Sequence, residues 1–340
     1  MRLLVTGGAG FIGSNFVRYV LRTEPGVHIT NLDALTYAGN LSSLADLADE
    51  PRHRFVRGDV CDPVLVGGLV AEVDAVVHFA AESHVDRSID GPAAFLHANV
   101  VGAGVVFDAC RRAGIARLLH ISTDEVYGSI DAPGRAVEGD PLRPSSPYAA
   151  SKASADLLAQ AYATTYGYPI TITRTTNNFG PFHLPEKMIP LFVTNLIDDR
   201  PVPLYGDGSH VRDWTYVLDN IAAQWLVLTE GEPGQVYNVG AGNELTNREL
   251  AARLLARFGA GDERIVSVAD RPGHDRRYAV DERRIRALGW TPTTDLDEAL
   301  DATVAWYRAN EWWWRPLIDR GVSARRGTGD GHASDGREAR

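Results

Sequence analysis

The stretch that decides the fold is Thr6–Gly13, TGGAGFIG, close to the start of the 340-residue chain. It follows the apolar residues Leu3–Val5 and precedes a segment whose apolar residues recur at helical spacing. Gly7, Gly10 and Gly13 would let the backbone turn tightly and approach a pyrophosphate, whose charge faces the free amides at the start of the helix. The stretch therefore predicts a buried strand, a glycine loop and a helix that together bind a dinucleotide.

After this unit, short apolar segments alternate with amphipathic ones as far as about residue 176. We predict helices at 10–23 and 147–166 and six strands, at 1–8, 27–33, 54–59, 75–81, 116–123 and 170–174. Such alternation indicates a parallel sheet covered by helices on both faces. The predicted fold class is therefore α/β, with a doubly wound, parallel, Rossmann-type sheet that binds ligands at the carboxyl ends of its strands.

From about Asn177 the alternation breaks down, and loops rich in proline and glycine separate shorter elements. Gln235–Gly240 (QVYNVG) is typical of one more strand, which we expect to rejoin the first sheet. Leu245–Phe258 is typical of a helix opened by a Thr246–Glu249 capping box. We predict a dinucleotide-binding domain from 1–176 with 213–241 and a smaller, mixed α/β, C-terminal substrate domain from 177–212 with 242–318. The polar, glycine-rich composition of 323–340 predicts a disordered tail.

Asp33 ends the second predicted strand, about 20 residues after the glycine loop. A carboxylate at this position can accept hydrogen bonds from ribose hydroxyls, and Ala34 beside it offers no cation for a 2′-phosphate. These residues therefore predict NAD as the cofactor, in preference to NADP. Asp59 ends the third predicted strand, where its carboxylate could either meet the adenine amine or cap a loop.

Tyr148 and Lys152, in YAASK, are four residues apart on the longest predicted helix and therefore share a face. An ammonium near a phenol favours the phenolate, which makes Tyr148 a candidate base toward a hydroxyl. Composition also indicates that Lys152 is functional, because only Lys152 and Lys187 among the 34 basic residues are lysines. A guanidinium does not replace a compact ammonium, so both lysines are candidate functional residues.

The fifth predicted strand ends in Ser122-Thr123-Asp124-Glu125, which places two adjacent carboxyl groups at the same edge of the sheet. Burial and mutual repulsion raise the pKa of one such group, so the pair supplies one protonated acid and one carboxylate base. Elimination of water needs both, a base for a carbon-bound proton and an acid for the departing hydroxyl. The residues alone do not indicate which of Asp124 and Glu125 is the acid.

Together these motifs resemble those of the dTDP-glucose 4,6-dehydratases, a family of extended short-chain dehydrogenase/reductases. The motifs are TGGAGFIG with Asp33, AAESHVDRSI, STDEVYG, YAASK, NNFGPFHLPEK, YGDGSHVRDW and RPGHDRRY, and the match runs to about residue 316. The Asp-Glu pair is the most specific of these features, because epimerases and decarboxylases of the superfamily usually lack it. The resemblance implies a hydro-lyase that acts on dTDP-glucose with NAD as cofactor.

The resemblance also implies a role for each catalytic residue. Tyr148, assisted by Thr123, would take the proton of the sugar C4 hydroxyl while hydride passes from C4 to NAD. Glu125 would remove the C5 proton, Asp124 would protonate the C6 hydroxyl so that water leaves, and the hydride would return to C6. The product would be dTDP-4-keto-6-deoxyglucose. Lys152 would hold the nicotinamide ribose beside Tyr148.

Two larger sets of binding residues are implied by the family's positions. Those at the cofactor are Gly7, Gly10, Phe11, Ile12, Gly13, Asp33, Ala34, Leu35, Thr36, Asp59, Val60, Phe79, Ala80, Ala81, Ser83, Ala98, Tyr148, Lys152 and Asn178. Those at the nucleotide sugar are Ser83, Thr123, Asn177, Lys187, Met188, Pro203, Tyr205, Arg212, Asn247, Arg271 and His274. Ala98, Phe179 and Phe182 depart from the family, which often has a threonine and tyrosines there, and this leaves fine substrate preference open.

Several alternatives remain open at the level of sequence. A UDP-sugar 4,6-dehydratase or a sugar-nucleotide C4-epimerase shares the glycine loop and the Tyr148/Lys152 pair. A redox-sensing regulator that binds NAD without catalysis would have a broken pair, whereas here the pair is intact. A purely structural partner protein has no support in the sequence. Whether the product serves cell-wall rhamnose or a specialised deoxysugar is also open.

Composition excludes other classes of protein. A formal charge of −10 argues against binding to nucleic acid or to an anionic membrane. The N-terminus has no secretory signal, and we find no run of about 18 apolar residues that would span a bilayer. Cys61 and Cys110 lack metal-type spacing, so we expect no metal and two reduced thiols in a cytoplasmic protein. The family resemblance implies a homodimer formed through helices near 99–112 and 147–166.

Overall fold

The structure is a computed structural model that describes residues 1–319. The predicted disordered tail, 323–340, lies outside the described residues. The sheet is built around Leu3, Leu4 and Val5, whose side chains are fully buried because both faces of their strand are covered. A strand buried on both faces favours a continuous apolar run, which is what the start of the chain provides.

Seven parallel strands form the central sheet. They are β1 Arg2–Thr6, β2 His28–Asp33, β3 His53–Arg57, β4 Ala75–His78, β5 Arg117–Thr123, β6 Thr171–Thr175 and β10 Val236–Val239. Their spatial order is β10-β6-β5-β4-β1-β2-β3, so the order reverses between β1 and β4, where doubly wound sheets bind ligands. The predicted parallel, doubly wound sheet is confirmed, and QVYNVG joins it beside β6 as expected.

Helices cover both faces of this sheet. On one face α1 Phe11–Thr23 packs against α8 Val217–Glu230, and on the other α2 Pro63–Val70, α5 Ala103–Ala113 and α6 Pro147–Tyr166 pack together. The short helices α3 Val85–Asp90 and α4 Pro92–Leu96 lead into α5 through a π-helical turn. Each face has its own apolar core, which holds the strand ends in a fixed arrangement.

A second group of elements follows β6 in the chain. Its strands are β7 Asn177–Phe179, β8 Val202–Tyr205, β9 Val211–Tyr216, β11 Glu244–Thr246 and β12 Ile265–Val268, and its helices are α7 Met188–Ile197, α9 Asn247–Ala256, α10 Arg283–Ala287, α11 Leu296–Ala309 and α12 Glu311–Asp319. β11, β9 and β7 form a mixed three-stranded sheet, and β8 pairs with β12. The apolar side chains of β7–β9, α7, α9, α11 and α12 form a core separate from those of the large sheet.

The observed elements differ from the predicted ones chiefly at their ends. β3 ends at Arg57 and β4 at His78, so Asp59, Ala80 and Ala81 lie on loops beyond the strands rather than at their last residues. The helix predicted from Leu245 begins only at Asn247, because the preceding residues pair with β9. The predicted Thr246–Glu249 capping box is present, with both of its reciprocal hydrogen bonds.

One helical segment, Pro92–Ala113, is long and apolar enough to pass a length-and-composition test for crossing a membrane. The segment includes α4 and α5 and overlaps the helix near 99–112 that was expected at a dimer interface, whereas no membrane-spanning run was expected from the sequence. It packs against α2 and α6 in the α/β layer of the protein, and 39% of its most apolar window is buried there. Core helices of proteins that do not enter membranes pass the same test, so the segment is weak evidence for a membrane span.

The carboxylate of Asp219 binds the segment between α10 and α11 to helix α8. It accepts hydrogen bonds from the backbone amides of Thr293 (3.1 Å) and Thr294 (3.2 Å) and from the Thr293 hydroxyl (2.7 Å). Without this buried carboxylate the three donors would have no acceptor. We therefore expect Asp219→Ala to lower the free energy of unfolding by about 2–3 kcal/mol. Urea-induced unfolding followed by circular dichroism would measure the loss.

Asp301→Ala is the matched control, because Asp301 is exposed and pairs only with Arg257 at the surface. Exposed ion pairs contribute about 0–1 kcal/mol, so this variant should unfold almost like the wild type. Equal destabilisation by the two substitutions would contradict the role given to Asp219.

Candidate active site

A cavity of about 540 Å³ lies at the carboxyl ends of the parallel strands and extends toward the second group of elements. The glycine loop and the residues after β2 and β4 line one end of it. The end of β5 and one face of α6 line its middle, and residues of β8, β9, α9 and the 271–278 loop line the other end. One continuous space therefore joins the predicted dinucleotide site to the predicted nucleotide-sugar site.

The glycine loop leaves no room for side chains. Gly7 has a φ of +73°, and a Cβ there would lie 2.6 Å from the backbone nitrogen of Ala80. A Cβ on Gly13 would lie 2.3 Å from the carbonyl oxygen of Gly7. No side chain caps the start of α1, so its first amides can donate to an anion. The loop therefore fits a pyrophosphate, as the sequence predicted.

Asp33 is held in place at the end of β2 by backbone amides. Its Oδ2 accepts from Ala9 at 2.9 Å, and its Oδ1 accepts from Leu35 at 2.8 Å. Burial raises the pKa of Asp33, and these two hydrogen bonds act in the opposite direction. The carboxyl group thus has a fixed orientation in the cavity wall, where ribose hydroxyls of a dinucleotide could bind.

All the residues predicted for the cofactor line this cavity except Leu35. Leu35 lies behind Asp33 with a φ of +54°, an uncommon conformation for a side-chain-bearing residue, and its amide donates to the Asp33 carboxylate. Its contribution is therefore to position Asp33 through its backbone. The sequence offered no signal for this, because a positive φ at a leucine is imposed by the surrounding chain.

Helix α6 carries Tyr148 and Lys152 into the cavity. Ser146 caps its start by accepting from the Ala149 amide at 3.1 Å, and the Tyr148 amide donates to Ser88 Oγ at 3.1 Å. Lys152 is almost fully buried, its Nζ donates to the Ile121 carbonyl oxygen at 2.6 Å, and burial lowers its pKa to about 8. The ammonium is thus fixed between α6 and β5.

The pKa of Tyr148 differs from the sequence-based expectation. Burial, together with the nearby charge of Glu125, raises this pKa well above its usual value, whereas a hydrogen bond with Thr123 lowers it. A neighbouring Lys152 was expected to favour the phenolate. The difference arises because removing a phenolate from water costs more than the hydrogen bond with Thr123 recovers.

The end of β5 delivers the two carboxyl groups. Asp124–Tyr127 form a 3₁₀ turn whose first amides are capped by Thr123, which accepts from the Glu125 amide at 3.3 Å. Asp124 is 3% exposed, and burial followed by the charge of Glu125 raises its pKa well above the usual range. Burial also raises the pKa of Glu125, but Arg271 and Arg212 oppose that rise.

Cationic groups surround the far end of the cavity. Arg212 donates to the carbonyl oxygens of Val211 (2.7 Å) and Asp275 (2.9 Å), and its guanidinium lies over the Tyr278 ring. Lys187 Nζ donates to the Ser83 carbonyl oxygen at 2.9 Å. These hydrogen bonds hold the Arg212 guanidinium and the Lys187 ammonium in fixed positions in the cavity wall. A diphosphate bound there would complement both positive charges.

Arg271 and Tyr205 meet on one carboxylate across the cavity. Arg271 lies 3.4 Å from Asp86 Oδ1, and the Tyr205 hydroxyl donates to Asp86 Oδ2 at 2.9 Å. Asp86 belongs to α3 and therefore to the layer that covers the large sheet. The contact brings residues from distant parts of the chain together around the nucleotide-sugar end of the cavity.

Several polar atoms of the residues that line the cavity are buried and have no hydrogen-bond partner among the described residues. Among them are Asp124 Oδ2, Asn177 Oδ1, Asn247 Oδ1 and Arg271 Nε. Buried polar atoms are nearly always paired, so these atoms indicate a polar ligand or ordered water in the cavity. Every residue predicted at the nucleotide sugar lines the same cavity.

Sequence reasoning missed several residues of the cavity wall. His183 stacks on Phe11 of the glycine loop at 4.1 Å between ring centroids, and Tyr278 supports Arg212. Glu82 and His84 also line the cavity. Their motifs, AAESHVDRSI, NNFGPFHLPEK and RPGHDRRY, were recognised, but only the folded arrangement shows which of their side chains face the space.

The chain is similar to a known protein family and to individual proteins over nearly its whole length. The family model described as GDP-mannose 4,6 dehydratase matches residues 4–303. A dTDP-glucose 4,6-dehydratase of Streptomyces antibioticus is 52% identical over 94% of this chain and 96% of its own length. A low-salt glycan biosynthesis protein, Agl12, of Haloferax volcanii is 51% identical over 92% of this chain and 100% of its own.

Solved structures of similar proteins have the same fold as this chain. DesIV of Streptomyces venezuelae, a dTDP-glucose 4,6-dehydratase solved with NAD, is 52% identical and superposes with a TM-score of 0.91, over 93% of this chain and 100% of DesIV. A UDP-glucose 4-epimerase of Thermus thermophilus solved with NAD is 33% identical, with a TM-score of 0.84, over 91% of this chain and 100% of its own. The chain therefore belongs to the nucleotide-sugar 4,6-dehydratase family of the short-chain dehydrogenase/reductases, with the dTDP-glucose 4,6-dehydratases among its similar members.

Proposed function

We propose that the protein is an NAD-dependent dTDP-glucose 4,6-dehydratase, a hydro-lyase that forms dTDP-4-keto-6-deoxyglucose. The observation that carries this proposal is the convergence of Thr123, Asp124, Glu125 and Tyr148 on one cavity that continues to the glycine loop. A base for a hydroxyl, a base for a carbon-bound proton and an acid for a leaving hydroxyl are thereby present together. The similar dTDP-glucose 4,6-dehydratases support the choice of substrate.

NAD fits the residues at the glycine loop and at Asp33, where the backbone approaches closely and a fixed carboxyl group faces the cavity. When bound, NAD accepts hydride from the sugar C4 and returns it to C6. Gly7, Gly10 and Gly13 would face its pyrophosphate, and Asp33 would accept from a ribose hydroxyl. Lys152 would bind the nicotinamide ribose from its fixed position beside β5.

Tyr148 would take the proton of the C4 hydroxyl, with Thr123 bound to the same phenol oxygen. The two residues come from α6 and β5, whose packing against the large sheet sets their separation. Once C4 is a ketone, the C5 proton becomes acidic. Tyr148 then holds the proton taken from the hydroxyl.

The electrostatics support Asp124 as the acid and Glu125 as the base, an assignment that the residues alone left open. Asp124 is the more deeply buried, and burial together with the charges of Glu125 and Asp213 raises its pKa, which favours its protonated form. Arg271 and Arg212 favour an ionised Glu125. The protonated group can donate to the C6 hydroxyl, and the carboxylate can remove the C5 proton.

The first prediction concerns the substrate. Purified protein incubated with dTDP-glucose should release a product that has lost one water and carries a 4-keto group, as measured by mass spectrometry and NMR. UDP-glucose should react about tenfold or more slowly, because the missing methyl group and the added ribose hydroxyl change nucleoside contacts. Interconversion of epimers without a keto product would contradict the proposal and favour a C4-epimerase.

The second prediction separates the acid from the base. Glu125→Gln should lower turnover by about 10²–10⁴-fold and abolish exchange of the C5 proton with deuterated solvent, while C4 oxidation continues. Asp124→Asn should lower turnover similarly but retain the exchange, because its base is intact. Both are measured by stopped-flow absorbance of the cofactor and by NMR of the sugar.

Asp131→Asn is the control for these variants, because Asp131 is an exposed carboxyl group outside the cavity. It should turn over like the wild type. If Asp124→Asn abolished the C5 exchange and Glu125→Gln retained it, the two roles would have to be reversed.

We also propose a homodimer in the cytoplasm, and a division into domains at 1–176 with 213–241 and 177–212 with 242–318. The dimer is supported by Leu96, Val101 and Leu157, large apolar side chains that are each about half exposed on adjacent helical segments. Contiguous apolar surface on such helices is typical of a protein interface. The free thiols of Cys61 and Cys110 support the cytoplasm, where disulfides are rare.

The double variant Val101→Arg/Leu157→Arg tests the dimer. Burying two unpaired charges at the interface would cost more free energy than association provides. The variant should therefore sediment at the 37.0 kDa of one chain, whereas the wild type should sediment at twice that mass. Leu218→Arg is the control, since Leu218 is 43% exposed on α8, which covers the opposite face of the large sheet, and the substitution should leave the dimer intact. A wild type that sediments as a monomer would refute the proposal.

A further inference from the structure

The loop 180–187 connects β7 to α7 and is anchored to α1, the helix that follows the glycine loop. The Asn15 side chain donates to the Pro181 carbonyl oxygen at 2.9 Å. The Arg18 guanidinium lies 4.0 Å from the centroid of the Phe182 ring. A segment of the second group of elements is therefore held directly against the helix that begins the dinucleotide site.

The same loop places an aromatic ring at the start of α1. The His183 imidazole stacks on the Phe11 ring, with the ring centroids 4.1 Å apart and an angle of 12° between the planes. Phe11 is the first residue of α1. Phe11, Asn15 and Arg18 recur at helical spacing, so the three contacts with the loop lie along one face of α1. His183 is thereby held beside the glycine loop.

The backbone of His183 is fixed as well as its ring. The Tyr307 hydroxyl, on α11, donates to the His183 carbonyl oxygen. The His183 amide donates to the Gly180 carbonyl oxygen at 3.4 Å. Tyr307 is fully buried in the second core, so this core sets the position of the histidine from one side while α1 sets it from the other.

The His183 ring lines the cavity without a hydrogen-bond partner in the protein. Its Nδ1 is buried and unpaired, and neither ring nitrogen forms a hydrogen bond with the residues of 1–319. Buried polar atoms are nearly always paired. A polar ring that is fixed in the cavity wall and left unpaired therefore indicates a polar group of a ligand beside it.

The charge state of the ring fits an anionic ligand that other groups already neutralise. Burial and the nearby charge of Lys187 lower the pKa of His183 well below its usual value. A neutral imidazole has one N–H donor and one acceptor nitrogen. Such a donor can bind a phosphate oxygen without adding a second buried cation beside Lys187.

We propose that His183 donates a hydrogen bond to the pyrophosphate of NAD and closes the side of the cofactor site that faces the second group of elements. The glycine loop and the first amides of α1 fit the same pyrophosphate from the side of the large sheet. NAD would then be held by both groups of elements at once, and its release would require the histidine contact to break.

Slow release of NAD suits the proposed reaction, which regenerates NAD in place. The role of His183 itself depends only on the cofactor and not on the sugar nucleotide. The inference can therefore fail while the proposed function stands, and the reverse also holds.

Two substitutions separate hydrogen bonding from packing. His183→Phe keeps a flat ring against Phe11 and removes both nitrogens. His183→Gln removes the ring and keeps a side-chain N–H donor. If the histidine only packs on Phe11, the first variant should behave like the wild type and the second should not.

The release of NAD is measured by mixing NAD-loaded protein with an excess of isotopically labelled NAD and following the exchange by mass spectrometry. His183→Phe should release NAD about tenfold faster or more, because a hydrogen bond to a charged group is lost. His183→Gln should release it within about threefold of the wild-type rate, because a donor is retained. Circular dichroism checks that both variants are folded.

His28→Phe is the matched control. His28 is an exposed residue at the start of β2, at the end of the sheet away from the cavity. This variant should release NAD at the wild-type rate. Equal release by His183→Phe and the wild type would overturn the inference, and so would equal acceleration by the two His183 variants.

Competition with fragments of NAD tests which group the histidine binds. ADP contains a pyrophosphate and adenosine does not, and each displaces labelled NAD from its site. In His183→Phe the affinity for ADP should fall by about the factor found for NAD release, whereas the affinity for adenosine should be unchanged. An equal loss for adenosine would overturn the assignment to the pyrophosphate. Absence of a keto product from the wild type would refute the proposed function and leave these binding results unaffected.

Discussion

Burial of two adjacent carboxyl groups at the end of one parallel strand is the constraint on which the rest of this active site depends. Asp124 and Glu125 sit where β5 leaves the sheet, and ionising both there is costly. The cost is unequal, because Arg271, Arg212 and Lys187 all favour an ionised Glu125, whereas Asp124 has Arg212 alone against the charges of Glu125 and Asp213. Under the proposed function, this difference would let one group act as a base and its neighbour as an acid, which is the condition for eliminating water.

The large sheet and the second group of elements contribute different properties to the site. Strands buried on both faces hold the glycine loop, Asp33 and the end of β5 at fixed separations. The second core supplies the cationic end of the cavity through Arg212 and the loop that carries Arg271. Contacts such as His183 on Phe11 and Tyr205 on Asp86 connect the two. A rigid reaction centre is therefore combined with a nucleotide-sugar end that is built from loops, where specificity varies most easily.

Much of the site could be predicted because parallel strands end at one edge of their sheet. Locating the strand ends in the sequence was enough to bring Asp33 and Asp124 toward one crevice, and the structure places them in the same cavity. Prediction was weaker where a property depends on the whole environment. The pKa of Tyr148 is raised although Lys152 is nearby, because burial depth cannot be read from helical spacing. Leu35 was predicted at the cofactor, and the structure adds that its backbone amide donates to Asp33, a contact that residue type does not indicate.

The class of fold, the glycine loop, the capping box of α9 and the residues that could do chemistry follow from local spacing and residue type, so the amino-acid sequence specifies them. The different electrostatic surroundings of Asp124 and Glu125 arise only on folding, because Arg212 and Arg271 lie far from both residues in the chain. Folding also places Thr123 between Tyr148 and Asp124, because β5 and α6 meet only through packing on the sheet. Local patterns specify elements, whereas charge, burial and hydrogen bonds between elements arise from their assembly.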